Sequence, residues 1–172
     1  TFLHAGDEDA MARLIGTAEV AFTSRLSPRT FAAARALRWV HSPAAGVGGM
    51  LFPAMKASPV LLTNSRGMSA AAVAEHALML MLASARRLPE AVLAQAGRRW
   101  ICNDLAGLPT LRGLTVAIIG LGAIGRELAR TTAALGMSVI GTRRETGEPV
   151  PEGVSEAFGP DDLRLVLPRA DF

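Results

Sequence analysis

Short apolar runs separated by stretches of helical periodicity set the rhythm of this chain. Thr1–Ala5, Ala18–Thr23, Leu37–His41 and Val60–Thr63 read as strands. Between them, Asp7–Ile15 predicts a short helix ending at Gly16. A second helix starts at Ser27-Pro28, with Ser27 as cap and Pro28 in the first turn, and runs to about Ala36. Ser42–Gly49 is a loop at the end of a strand, and Met50–Ala57 a short helix around Pro53. Ser69 to about Arg87 predicts the longest helix. Val73, Leu78, Leu80 and Leu82 make it apolar on more than one side, as in a helix buried between domains or in a dimer. Pro89 interrupts, a further helical stretch runs to about Arg98, and Ile101–Leu111 reads as loop. The alternation then resumes. Thr115–Ile119 predicts a strand, Ala123 onward a helix capped at Gly136, and Met137–Gly141 a strand. After a polar loop, a last helix begins at Pro160. A further strand, the third of this block, is expected to start at Arg169–Phe172. Alternating β and α elements, occurring twice, argue for α/β architecture: doubly wound parallel sheets with helices on their faces.

The stretch Thr115–Gly125 carries the most chemistry. Gly120, Gly122 and Gly125 have the G-x-G-x-x-G spacing, which is weak evidence alone in a glycine-rich chain. Here a strand precedes it, a helix follows, and a second strand completes a βαβ unit. Gly120 lets the chain turn out of the strand, Gly122 lets backbone approach a pyrophosphate, and Gly125 lets helix and strand pack closely. The helix N-terminus at Ala123 and Ile124 offers free N–H groups and a positive dipole end to phosphate. Ile124, Leu128, Thr132 and Leu135 are expected on the buried face, with Arg126, Glu127 and Arg130 in water. A glycine turn without ligand is the competing reading.

Composition changes this picture little. Half of the 172 residues are hydrophobic, enough for a sizeable core, and the formal charge is +3. Of 18 basic residues only Lys56 is lysine. The arginines are spread along the chain, so no nucleic-acid surface is read from them. The single cysteine, Cys102, cannot form an internal disulfide, which fits a reducing, cytoplasmic setting, and its expected role is a small apolar one. The longest apolar stretch, Ala70–Ala85, contains Glu75 and His76 and is too short to span a bilayer. No signal peptide and no metal-ligand set are read.

Four segments carry a family resemblance: Leu37-Arg38-Trp39-Val40-His41-Ser42-Pro43-Ala44-Ala45-Gly46-Val47-Gly48, then Thr63-Asn64-Ser65, then Val73–Leu82, then Leu111–Gly125. In order and spacing they resemble the D-isomer-specific 2-hydroxyacid dehydrogenases. The resemblance implies two similar α/β domains with the active site between them. Residues 1–71 would be part of a flavodoxin-like substrate domain. Residues 72–172, including the long helix, would be the first part of a Rossmann-type NAD(P)-binding domain. It further implies a nicotinamide cofactor and a small 2-oxo or 2-hydroxy acid, whose carboxylate backbone N–H groups of Ala45, Gly46 and Val47 would hold. An ordinary strand-to-helix turn is the competing reading of that loop. The family's catalytic Arg, Glu and His are expected downstream of Phe172, so the chain reads as a fragment, inactive alone, with no catalytic residue assigned. His4, His41 and His76 are not given that role. His76 is expected to be a packing or interface residue, and His41 lies beside the loop.

The end of the second strand of the glycine unit bears on cofactor choice. An acidic residue there accepts from the ribose 2′-OH of NAD, whereas arginine pairs with the 2′-phosphate of NADP. Thr142-Arg143-Arg144-Glu145 stands there. The expectation is NADP, with Arg143 and Arg144 on the phosphate and Thr142 adding a hydroxyl. In the competing reading NAD binds with Glu145 on the ribose. The resemblance also implies a homodimer through helix 69–87. The other functional class is a non-catalytic dinucleotide-binding sensor, like the corepressor relatives of this family.

Overall fold

The computed structural model describes residues 2–101 and 107–172. The expectation for Cys102, and part of the loop expected at 101–111, fall outside the described residues. The chain divides into two compact units, Thr1–Met68 and Ser69–Phe172.

In the first unit, α1 (Glu8–Leu14) begins at Asp7, whose carboxylate accepts from the Ala10 N–H at 2.7 Å. A 3-10 turn, Ile15–Thr17, leads to β1 (Val20–Phe22). Ser27 caps α2 (Pro28–Ala32) by accepting from the Thr30 N–H, and Pro28 sits in the first turn. The chain then turns early, at Ala33 rather than Ala36, which brings Leu37 into the core before β2 (Trp39–Ser42). A 3-10 turn (Gly48–Met50), α3 (Pro53–Lys56) and β3 (Leu61–Asn64) follow. The sheet is parallel in the order β1-β2-β3, and Ser42 pairs with Asn64 at its last rung. Ala21 and Val40 point to a core shared with Ile15, Leu26, Leu37, Met50 and Met55. The expected strand at 1–5 does not form over residues 2–5. No described strand pairs with it, and Phe2 and Leu3 are exposed. An extended segment without a ladder leaves its backbone to water and gains nothing over coil.

In the second unit, α4 (Ala70–Ala85) and α5 (Leu88–Ala96) precede β4 (Thr115–Ile119), α6 (Ala123–Ala134) and β5 (Ser138–Thr142). Gly136, at φ +83°, turns the chain from helix to strand. The polar loop then yields β6 (Glu156–Phe158). This strand stands where only loop was expected, and it is the third of the sheet, in the parallel order β4-β5-β6. After α7 (Leu163–Val166), flanked by 3-10 turns, Asp171 and Phe172 reach the opposite edge of β4. The Phe172 N–H donates to the Thr115 carbonyl at 3.2 Å, and its carbonyl accepts from the Ala117 N–H at 2.8 Å, which is parallel pairing. The strand expected at the chain's end is thus present only as these backbone hydrogen bonds, and the third strand of the sheet is β6.

Val139 and Ile140, consecutive in β5, are both buried, so both faces of this sheet are covered. On one face Met81 and Ala85 of α4 meet Val116, Ile118, Leu121, Ala129 and Val139. The buried side of α6 is Gly125, Ala129 and Thr132. Ile124 and Leu135, expected inside, are 45% and 40% exposed. Close packing selects the small residues for the contact and turns the larger ones out.

Arg169 hydrogen-bonds the Glu156 carboxylate and lies 5.6 Å over the Phe158 ring, tying the last 3-10 turn to β6. The hydrogen bonds from Arg169 hold the Glu156 carboxyl below the ordinary carboxylate range, and Glu156 raises the Arg169 guanidinium. A depressed folded-state pKa contributes stability above the unfolded value and loses it as pH falls through the folded value. In an NMR titration, Glu156 is expected to protonate at lower pH than glutamate in unfolded peptide, and Arg169→Ala to remove that difference.

Candidate cofactor and anion sites

Within the second unit, the glycine turn sits where β4 ends. Gly120 adopts φ +104°, a conformation that side chains disfavour. The next N–H, of Leu121, donates to the Thr142 carbonyl at 2.8 Å, joining the turn to the end of β5. Gly122 is the N-cap of α6 and brings no side-chain cap. The first N–H of the helix to find a carbonyl is that of Arg126, on Gly122. Among the described residues, the N–H groups of Gly122, Ala123, Ile124 and Gly125 meet no acceptor outside the helix. A run of free donors at the positive end of a twelve-residue helix suits a diphosphate. A Cβ on Gly125 would overlap the Gly120 carbonyl oxygen and press on Ile118 Cγ2, so the turn closes only around glycine. Gly141, which the sequence reading used only as the end of a strand, is constrained too. A Cβ there would sit 2.8 Å from the Ile118 carbonyl oxygen.

Thr142, Arg143 and Arg144 follow β5 side by side, in different environments. Thr142 is buried, Arg143 is 9% exposed and Arg144 is exposed. The Arg143 guanidinium turns into its own loop. Nη1 donates to the Pro149 carbonyl at 2.8 Å, and Nη2 to the carbonyls of Thr146 and Glu148. Its Nε is buried and, among the described residues, lacks an acceptor. The Glu148 carboxylate lies 3.8 Å from Arg143 and 3.7 Å from Arg126. Arg126 in turn donates from Nε to the Leu121 carbonyl, at 3.1 Å. Glu148 thus links the loop to the glycine turn. Sequence reading missed it because it lies in a polar loop, where no periodicity marks a partner. Among the described residues, Arg144 has no ion pair or side-chain hydrogen bond; Glu145, the rival ribose contact, is exposed.

In the first unit, the loop after β2 carries Ala45, Gly46 and Val47. Asn64 Nδ2 donates to the Ala45 carbonyl at 2.7 Å, and Ser42 Oγ accepts from the Ala44 N–H. The Val47 carbonyl accepts from Met50. No acceptor among the described residues meets the N–H groups of Ala45, Gly46 and Val47. Gly46 and Val47 line a cavity of about 630 Å³; Ala45 does not. The lining also takes in the α1 entrance and the segment after β1, including Glu8, Arg25 and Ser27. His41 is not part of the cavity wall. Its ring stacks on Phe22, and its two nitrogens lie 2.8 Å from Thr63 Oγ1 and 3.2 Å from Ser65 Oγ. His4 and His76 are exposed. Among the described residues no cluster of His, Cys, Asp and Glu could hold a metal, and no helix is long and apolar enough to cross a membrane.

The family model described as "D-isomer specific 2-hydroxyacid dehydrogenase, NAD binding domain" matches residues 78–172. A D-3-phosphoglycerate dehydrogenase of Methanocaldococcus jannaschii is 32% identical over 143 residues, which is 81% of this chain and 26% of that protein. A solved D-isomer specific 2-hydroxyacid dehydrogenase family protein from Aeromonas salmonicida superposes with a TM-score of 0.83 at 29% identity, covering 97% of this chain and 52% of that one. The NADPH-dependent glyoxylate/hydroxypyruvate reductase of Sinorhizobium meliloti, solved with NADP and sulfate, gives 0.74 at 28% identity, covering 90% and 47%. The chain spans about half the length of these solved relatives and about a quarter of the phosphoglycerate dehydrogenase.

Gly125→Ala is expected to lower stability by about 1–3 kcal/mol, the usual cost of forcing a methyl into a packed backbone contact. A lower denaturant midpoint for the second unit's transition is the measurement.

Proposed function

The chain belongs to the D-isomer specific 2-hydroxyacid dehydrogenase family, and on that premise we propose that it serves an oxidoreductase interconverting D-2-hydroxy acids and 2-oxo acids with NADP(H). The nicotinamide supplies the hydride chemistry. This chain's residues bind and orient. The N–H groups of Gly122, Ala123, Ile124 and Gly125 hold the pyrophosphate, with Gly120 shaping the turn. Those of Ala45, Gly46 and Val47 receive the substrate carboxylate, in the manner of a backbone anion nest. No residue described here is assigned the proton transfer.

One observation carries the cofactor preference: beside the end of β5, Arg143 has a buried Nε that meets no acceptor among the described residues, next to the exposed Arg144. An orphaned buried donor costs about 1–3 kcal/mol, and a phosphate oxygen relieves it. Arg144 supplies a second, accessible fork, and the Thr142 hydroxyl a third donor. Arg143 must first exchange part of its hold on the Thr146 and Glu148 carbonyls for phosphate. The solved NADP complex of the Sinorhizobium relative supports this choice. The matched family model is described as NAD binding, and Glu145 offers a ribose contact for that alternative. The single cysteine and the absence of a long apolar helix among the described residues support a reducing, cytoplasmic setting.

We also propose a homodimer through the helix at 69–87. Val73, Met79, Leu80 and Leu82 stay 41–54% exposed on α4, more apolar surface than a lone helix face sheds without a partner.

Two measurements test these readings. By calorimetry, 2′,5′-ADP is expected to bind at least about tenfold tighter, the scale of a desolvated charge pair, than 5′-AMP, which differs from it only by the 2′-phosphate. Arg143→Ala and Arg144→Ala should each erode the difference; equal binding of the two nucleotides overturns the NADP preference. In analytical ultracentrifugation, the chain is expected to sediment as a dimer and Leu80→Glu as a monomer; a wild-type monomer at micromolar concentration overturns the helix interface.

A further inference from the structure

The Ala45–Val47 loop is held at one point by a side chain from the neighbouring strand, and that contact fixes more than position. Asn64 is the last residue of β3 and pairs in register with Ser42, the last of β2. The loop leaves β2 and returns over this rung, where Asn64 Nδ2 donates to the Ala45 carbonyl at 2.7 Å. Asn64 Oδ1 accepts from the Arg66 N–H at 3.3 Å. The two contacts assign the two ends of the amide, donor toward Ala45 and acceptor toward Arg66.

The Ala45 carbonyl and the Gly46 N–H belong to the same peptide unit. No peptide bond among the described residues is cis, and in a trans peptide the C=O and N–H point in opposite directions. Holding that carbonyl on Asn64 therefore aims the Gly46 N–H away from β3. The restraint matters because of the residue that follows. A Cβ on Gly46 would meet nothing within 4 Å, so space does not require glycine there. An unrestrained glycine in open space rotates freely, and its N–H would sample many directions. The Met50 N–H holds the Val47 carbonyl at the other end. Between these two anchors the N–H groups of Gly46 and Val47 meet no acceptor among the described residues, beside the cavity.

We propose that Asn64 is a positioning residue for carboxylate binding: it orients the Ala45–Gly46 peptide so that the Gly46 and Val47 N–H groups converge on an anionic substrate end. The inference rests on the assignment of this loop to the substrate carboxylate. It adds a side chain that touches no substrate and acts through the main chain.

The test uses the 172-residue chain, isotope-labelled, with oxamate as the probe, an unreactive carboxylate of the size of a small 2-oxo acid. Oxamate is expected to shift the Gly46 and Val47 amide resonances of the wild type. Asn64→Ala should weaken oxamate about five- to tenfold, the worth of one lost hydrogen bond, with the unfolding midpoint and amide spectrum outside residues 42–50 unchanged. An affinity loss in an intact fold separates positioning from general support. Should Asn64→Ala not fold, the wild type decides. A through-hydrogen-bond coupling between Asn64 Nδ2 and the Ala45 carbonyl carbon that persists at saturating oxamate supports the proposal, and its absence overturns it. Unmoved wild-type amides overturn the loop assignment and the proposal together. Shifted amides with unchanged affinity in Asn64→Ala overturn the role of Asn64 alone.

Discussion

The hydrogen bond from the Leu121 N–H to the Thr142 carbonyl, 2.8 Å long, is the contact on which the geometry of the glycine turn depends. It extends the β4–β5 ladder one step past the last strand residue. It spends the Leu121 donor on the sheet, and the following donors, of Gly122 through Gly125, are left over. It also draws Leu121 into the core, at 3% exposure, which fixes the turn from below. Gly125 then allows α6 to lie against the strand, so the free N–H groups are held by rigid elements on both sides. The main chain here does work that a side chain would do less well. Peptide groups carry no rotamer entropy of their own, and a strand and a helix aim them together.

Much of this was legible in the sequence because it is local. β4 appears over the residues its apolar run predicts, and Ser27 caps its helix where the pattern places it. The glycine turn is written in three residues whose spacing follows from the mechanics of the bend. What was not legible depends on neighbours. Glu156–Phe158 is too short to show a period, and it becomes a strand only because β5 offers an edge. Phe2–Ala5 has the opposite fate, strand-like residues with no edge to join. Ile124 and Leu135 look like core residues by spacing, yet the tight contact of α6 favours glycine, alanine and threonine. The inward turn of Arg143 and the grip of Asn64 on Ala45 are side-chain contacts across loops, and no periodicity encodes them.

Arg143 departs from economical design. Burying a guanidinium costs several kcal/mol unless its charge and donors are matched. Here three carbonyls and the Glu148 carboxylate match most of them, and Nε is left over. The carbonyls come from the loop that Arg143 supports, so loop conformation and guanidinium placement are coupled. Glu148 extends the coupling through Arg126 to the glycine turn. Charge in the loop after β5 is thereby linked to backbone geometry at the glycine turn.

The pairing of Phe172 with β4 has a further meaning for where ligands can enter. From β4 the chain steps outward to β5 and β6, then returns past β4 to its other edge. Right-handed crossovers in opposite directions lie on opposite faces of a sheet. By that rule the outward connection through α6 and the return toward β4 belong on opposite faces of the sheet. Open α/β sheets take their ligands at the carboxyl ends of the strands, where the strand order reverses. Gly120 stands at the carboxyl end of β4, the strand from which the order runs both ways. Topology and backbone chemistry thus single out the same strand end, each on its own terms.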